Sequence, residues 1–402
     1  MPTRPPETST TIDALVEKYS DDLIELRRDL HAHPELSWAE QRTTALVAER
    51  LEAVGVTVNR LDGTGLLADI GREGPLVALR ADLDALPVHD TTGLPWASVT
   101  PGVAHACGHD VHTAGLLGAG LALAEVHQRG LLPGRVRLVF QPAEEVMPGG
   151  ALKLMAGGAL QDVERIFMLH CDPSLDVGTV GLRDGALTGA ADALSVRLTG
   201  RGGHTSRPHL TEDLTFALGK LVVELPAVLS RRLDPRAGAS VVWGVVRAGS
   251  AHNVIPGSGY AAGTIRMLDA GAWADAASLV PVLIDEIVAP YGVTAEIDYK
   301  RGVPPVVNDH ASSGLLGAAV RRVLGDAGHV PTTQSLGGED FGWFVEHVPG
   351  AMGRLGTRTP GGPTFDLHQG NLTVDERATP IAARILAEAA VAALASGMVT
   401  SR

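Results

Sequence analysis

The chain has 402 residues, more than a single compact core usually takes, so two domains are expected. With 45% hydrophobic and 20% charged residues its composition is that of a soluble globular protein, and 48 glycines suit many tight turns between strands and helices. The net charge of −13, from 33 basic and 46 acidic residues, argues against nucleic acid or an anionic membrane as a partner.

The first ten residues read as a loose tail without the apolar stretch of a signal peptide. No apolar run is long enough to span a bilayer, so a cytoplasmic protein is expected. From Thr11 to Gly55 apolar residues recur at helical spacing, through Leu23, Leu26 and Leu30 and again from Leu46 to Val54, with Pro34 interrupting the pattern. PLVALR (75–80), RVRLVF (135–140) and RIFMLH (165–170) are short apolar runs nearly free of alternation. Such runs suit strands buried on both faces of a mostly parallel sheet, with a helix over 114–128 between them. The middle of the chain reads strand (192–202), helix (211–229), two strands (238–249 and 258–268), helix (272–291) and strand (294–302), the β-α-β-β-α-β order of a ferredoxin-like unit. A helix over 312–328 and an Ala-rich helix after Thr379 follow. The expected fold is therefore α/β with two domains. A mostly parallel main domain spans 11–189 and 303–402, and an inserted ferredoxin-like α+β domain spans 190–302.

Polar residues gather where the buried strands end. The first run leads into Asp82 and Asp84, the second into Gln141, Glu144 and Glu145, and the third into His170, Cys171 and Asp172. In open α/β sheets ligands sit beyond the carboxyl ends of the strands, so these clusters should converge. Asp, Glu and His are the donors that a hydrolytic divalent-metal site needs. One cluster alone would pass for a helix cap or a solvated turn; three together favour a site. HACGHDVHTAG (105–115) adds Cys107 and His109, a thiol and an imidazole that both bind transition metals. His105 and His112 suit a structural role as well as a ligand role, and one of them could orient His109. Of the adjacent Glu144 and Glu145, one can bind metal while the other takes a proton from water. No G-x-S-x-G elbow, G-x-x-x-x-G-K-[ST] loop or H-E-x-x-H helix occurs to support a serine hydrolase, a phosphate-binding loop or the commonest zinc-protease helix.

RRDLHAHPELSWAEQRT (27–43), RADLDALP (80–87), HACGHDVHTAGLLGAG (105–120), QPAEE (141–145), GRGGHTSRPH (200–209), NVIP (253–256), GTIR (263–266) and GGEDF (337–341) occur in that order. Together they resemble the metal-dependent amidohydrolases that include hippurate hydrolase, the indole-acetyl amino acid hydrolases and N-acetyl-diaminopimelate deacetylase, within the aminoacylase and glutamate carboxypeptidase clan. The resemblance covers nearly the whole chain, from about Asp21 to Glu376. It implies hydrolysis of the amide bond of an N-acyl amino acid, a catalytic α/β domain, and an inserted domain that usually dimerises.

The resemblance also implies roles. Cys107 would bridge two divalent ions (zinc, manganese, cobalt or nickel), with His109 and His170 on one and Glu145 and His368 on the other. Glu144 would be the general base. Asp82 falls where the clan has an Asp that steers a metal ligand, although Arg80 replaces the clan's usual His. His204 would stabilise the oxyanion in the other subunit of a homodimer, and Asn253 and Arg266 would hold the substrate carboxylate. The stretch after His368, Gln369-Gly370-Asn371-Leu372, departs from the usual Ser-Pro-x-Phe. Cys171-Asp172-Pro173 and Thr205-Ser206-Arg207 are also atypical, and these departures should bear on specificity. His31 and His33 are expected to be structural, and Cys171 a plain core thiol. Two other readings remain: a dipeptidase or carboxypeptidase of the same clan, and a non-catalytic binder of acyl amino acids. A binder has no need of Glu144.

Overall fold

The computed structural model describes residues 6–396. The chain forms two compact units. One runs to Gly185 and resumes over Val307–Thr333 and from Trp343 onward; the other comprises Ala186–Val306 and Gln334–Gly342. The insertion therefore begins a few residues before the expected 190 and ends a few after 302. It also takes a short segment, Gln334–Gly342, expected to lie in the main domain.

The first unit is built on an eight-stranded sheet. Its strand order is Thr57–Arg60, Leu66–Ile70, Arg135–Gln141, Leu76–Asp82, Val163–Asp176, Gly350–Arg358, Val180–Leu182 and His329–Pro331. The central four run parallel. Every residue of Leu76–Asp82 is buried, as a continuous apolar run covered on both faces requires. The helix His109–Gln128 packs against the last helix, Ala378–Ala395, through small residues. A Cβ on Gly115 or Gly118 would come within 2.9 Å of Ala382 or Ala383, so the close helix approach depends on glycine. Ala378–Ala395 is long and apolar enough to cross a bilayer, against the expectation that no run would be, yet Ile385, Leu386, Ala389 and Ala390 are buried in the protein core. The N-terminal helix spans Pro6–Ala32, so residues 6–10 are helical rather than a tail, and 1–5 lie outside the described residues. The helix stops two residues short of Pro34. A buried ion pair, Arg27 to Asp110 at 2.8 Å, ties it to the start of His109–Gln128.

The second unit has a four-stranded antiparallel sheet in the order Ser240–Ala248, Ser258–Met267, Ala190–Thr199 and Thr294–Val303. With the helices Leu214–Arg232 and Ala270–Val288 this is the ferredoxin-like arrangement expected. Asp213 and Asp269 cap the two helices by accepting from the backbone N–H groups of Phe216 and Ala272. Buried Asp192 accepts from Trp273 Nε1 and from the backbone of Gly302, joining helix to sheet.

Candidate active site

The turn into His109–Gln128 is set by glycine. Gly108 has φ 84°, and a Cβ there would lie 2.8 Å from Cys171 Sγ. The tight turn puts Cys107 and His109 beside the strand Val163–Asp176. His109 donates Nδ1–H to the Asp84 carbonyl at 2.8 Å, which leaves Nε2 buried with no hydrogen-bond partner among the described residues. His170 is placed alike: its Nδ1 meets the Cys171 carbonyl at 2.8 Å, and its Nε2 lies 3.6 Å from Cys107 Sγ. Both imidazoles thus have their tautomer set by a backbone acceptor, the usual preparation for ligation through Nε2. His170 sits within its strand, which runs on to Asp176, rather than at the end.

His368 comes from the far end of the chain. Its backbone N–H donates to Ala106 O at 2.7 Å, its φ is 64°, and its Nε2 lies 3.4 Å from Glu145 Oε1. The atypical loop after it is explained by a close approach: a Cβ on Gly370 would lie 1.9 Å from the His89 carbonyl. Two donor sets result, Cys107 with His109 and His170, and Cys107 with Glu145 and His368. Within each, the ligand atoms lie within 4.8 Å of one another, and Cys107 is common to both. A third set at the same spacing joins His109, Glu144 and Glu145.

His112 is no candidate ligand, because both ring nitrogens are used. Nδ1 meets Asp82 Oδ1 at 2.6 Å, and Nε2 accepts from the Cys171 backbone at 2.8 Å. Asp82 gives its other oxygen to Arg80 at 2.7 Å, so the contact that orients His109 comes from the Asp84 carbonyl and not from Asp82. His105 is buried with neither nitrogen partnered among the described residues, and burial lowers its pKa to about 4. His31 is structural, bridging to Asp110 at 2.8 Å, and His33 is partly exposed. Both cysteines are free and buried.

Charge decides what the cluster wants. Burial pushes the Cys107 thiol well above its ordinary range; His109 opposes this while the carboxylates of Glu145 and Glu144 add to it. Burial alone would raise Asp82, but His109, His112 and Arg80 outweigh it and hold Asp82 well below the usual carboxylate range. Burial would lower His109, yet Asp82 and Cys107 hold it well above ordinary imidazole. A buried thiol, an unpartnered imidazole nitrogen and a carboxylate facing one another call for added positive charge. That sulfur, nitrogen and oxygen donor set suits a borderline divalent ion.

In the second unit His204 lies on a two-stranded ribbon, paired with Val254. It is exposed. The Ser206 backbone N–H donates to its Nδ1 at 3.0 Å, so Nδ1 is the acceptor of the ring and Nε2 its donor. Asn253 lies on the facing strand's approach, where its carbonyl accepts from Thr205. Arg266 stands near the far end of Ser258–Met267, about 26 Å of extended strand away from Ser258. Its guanidinium donates to Leu336 O at 2.6 Å. Within one chain His204 and Asn253 are neighbours, and Arg266 is not brought to them.

The chain matches the model of Peptidase family M20/M25/M40 over residues 78–392. It belongs to this family. It is 38% identical to N-acetyl-L-cysteine deacetylase of Bacillus subtilis (strain 168), covering 92% of this chain and 87% of that one. A protein of Rhodococcus jostii (strain RHA1), named as a candidate glutamate–cysteine ligase 2-3, is 51% identical over 89% of this chain, which spans only 45% of that protein. Among solved structures, the YXEP protein of Bacillus subtilis is described as a dinuclear metal binding peptidase of the M20 family. It superposes with a TM-score of 0.80 at 35% identity, covering 94% of this chain and 99% of that one. The chain is thus a metal-dependent hydrolase of amide bonds, with the α/β architecture of its family.

Asp84 is the residue of this site that sequence reasoning left without a role, although it stood beside Asp82. Its carbonyl accepts from His109 Nδ1, a main-chain contact that no residue type announces, and its Oδ1 lies 3.4 Å from the same nitrogen.

Proposed function

We propose that the chain hydrolyses N-acyl amino acids. The observation that carries this reading is the pair of donor sets sharing Cys107, with Glu144 beside them and not needed by either. Cys107, His109 and His170 would hold one divalent ion, and Cys107, Glu145 and His368 the other. The two ions, when bound, would polarise the scissile carbonyl and lower the pKa of water. Glu144 takes the proton of the attacking water and delivers it to the departing amine, so the amide C–N bond breaks with the charge balanced. Asp82 fixes His112 at 2.6 Å and lies 3.7 Å from His109 Nε2. His204, with its proton on Nε2, is suited to donate to the oxygen on which negative charge develops. Because Asn253 and Arg266 lie apart within one chain, a joint grip on the substrate carboxylate requires a homodimer, with His204 and Asn253 supplied by the second copy. Arg offers that carboxylate two parallel N–H groups.

The test is a panel of N-acetyl and N-benzoyl amino acids, N-acetylcysteine among them, together with dipeptides, on protein reconstituted with divalent metal. N-acyl amino acids should be turned over, and Glu144→Gln should lose about 10²- to 10⁴-fold in kcat while keeping its metal. Turnover of dipeptides alone would move the assignment to a peptidase. Unimpaired kcat in Glu144→Gln would remove the general base.

A further inference from the structure

The turn that carries Glu144 and Glu145 is strained and does not hold itself. Ala143 has φ 54°, a left-handed conformation that a residue with a Cβ rarely adopts. No regular element satisfies its three successive backbone N–H groups. Two buried carboxylates do. Glu40 Oε1 accepts from Ala143 at 2.8 Å, and Asp84 accepts from Glu144 with Oδ1 and from Glu145 with Oδ2, both at 3.0 Å. Glu40 is fully buried and Asp84 is 1% exposed. Each carboxylate is itself anchored. Glu40 Oε1 also accepts from the Trp38 backbone at 3.0 Å and Oε2 from Thr64 Oγ1 at 2.7 Å, while Asp84 Oδ2 accepts from Ser37 Oγ at 2.6 Å. The entry to the turn is gripped as well: a Cβ on Gly65 would lie 2.5 Å from Pro142 Cδ, and one on Gly150 would lie 1.9 Å from Pro142 O.

From this arrangement we infer that Glu40 and Asp84 are positioning residues, which fix the turn so that Glu144 and Glu145 present different faces to the donor cluster. The inference rests on the roles proposed above for those two glutamates. It absorbs the segment 33–40, whose Leu36 pairs with Ala85 and which otherwise has no part in the chemistry. Glu40 bonds no side chain of the donor sets, and the Asp84 carboxylate approaches one, its Oδ1 lying 3.4 Å from His109 Nδ1; both hold the backbone that aims Glu144 and Glu145. Two acidic groups buried beside an acidic site are costly to keep unless their hydrogen bonds are needed.

The two carboxylates should answer differently to amide substitution. Glu40 uses one oxygen for both backbone N–H groups, and its other oxygen faces a hydroxyl that can rotate to accept. Glu40→Gln therefore keeps every bond. Asp84 uses each oxygen for a different N–H, so Asp84→Asn must point an NH₂ at a backbone donor and lose one bond.

The experiment measures kcat and KM of reconstituted Glu40→Ala, Glu40→Gln and Asp84→Asn, and amide hydrogen exchange of each in metal-free form. Glu40→Ala and Asp84→Asn should lose up to about 10²-fold in kcat with a much smaller change in KM, as a displacement near 1 Å can cause. Glu40→Gln should recover most of that loss. Exchange at 143–145 should quicken in Glu40→Ala and Asp84→Asn, stay slow in Glu40→Gln, and remain unchanged in Gly350–Arg358. If Glu40→Ala does not fold, Asp84→Asn against Glu40→Gln carries the same contrast. Unchanged exchange at 143–145 in the damaging variants, or Glu40→Gln as impaired as Glu40→Ala, overturns the inference. Failure of the wild type to cleave any N-acyl amino acid would instead sink the proposed function, and the exchange pattern would still decide the positioning.

Discussion

The residues proposed for chemistry fall into two regions held in opposite ways. In the first unit His109, His112, Asp82 and Cys107 are buried, and each histidine has a fixed hydrogen-bond partner. Its donor set stands assembled before any ion arrives, which is how preorganised sites avoid reorganising during reaction. In the second unit His204 and Asn253 are exposed on a short ribbon, where Val254 and Ile255 pair with His204 and Gly203 and the Ser206 backbone bonds the His204 ring. One region is made rigid by burial; the other keeps its polar groups in water. A substitution in the first should therefore damage stability and function together, and one in the second should damage function alone.

Asp82→Ala tests the first half. It removes a carboxylate that pairs with buried Arg80 at 2.7 Å, and removing one partner of a buried pair typically destabilises by about 3–5 kcal/mol. Denaturant unfolding should show this loss together with reduced metal content, since His112 loses its anchor too. A stability equal to wild type would mean that the buried network is not what holds the site.

His204→Ala tests the second half. An oxyanion donor is worth about 2.7–4 kcal/mol of barrier, so kcat should fall by about 10²- to 10³-fold. The unfolding midpoint should not move, because the side chain is exposed. Mixing inactive His204→Ala chains with inactive Glu144→Gln chains should restore activity in hybrid dimers if His204 serves the neighbouring site. No recovery despite subunit exchange would place its action within its own chain or make it structural.

A smaller effect follows from protons. In the metal-free chain Cys107 is held above its ordinary range chiefly by burial. His109 is raised despite burial by Asp82 and Cys107, and His368 is raised by its hydrogen bond to Glu145. All three must be deprotonated to ligate, so metal binding releases protons and affinity falls as pH falls. Each displaced proton changes the apparent affinity by about tenfold per pH unit. Calorimetry in buffers of different ionisation enthalpy would count those protons. A count of zero would contradict ligation through Cys107.

Much of this could be read from the chain. Continuous apolar runs announce strands buried on both faces, and the helix and strand order of the insertion announces its ferredoxin-like form. Those features are local. What could not be read depends on partners distant in sequence. Residues 6–10 carry too little periodicity to reveal a helix that its packing stabilises. Gly337-Gly338-Glu339-Asp340 has no period at all, so nothing in it tells which unit it joins. His112 looks like a ligand until Cys171 and Asp82 occupy both nitrogens. Gly370 looks like an anomaly until the His89 carbonyl fills the space of its Cβ.

The central claim is that Cys107 is the shared ligand of a two-ion site. Elemental analysis of purified Cys107→Ala beside the wild type, both saturated with one divalent metal and desalted, tests it most directly. The wild type should retain two ions per chain; a relative of this family is described as a dinuclear metal binding peptidase. Cys107→Ala should retain about one or fewer, because both donor sets lose a ligand at once. Two tightly held ions per chain in Cys107→Ala would contradict the account.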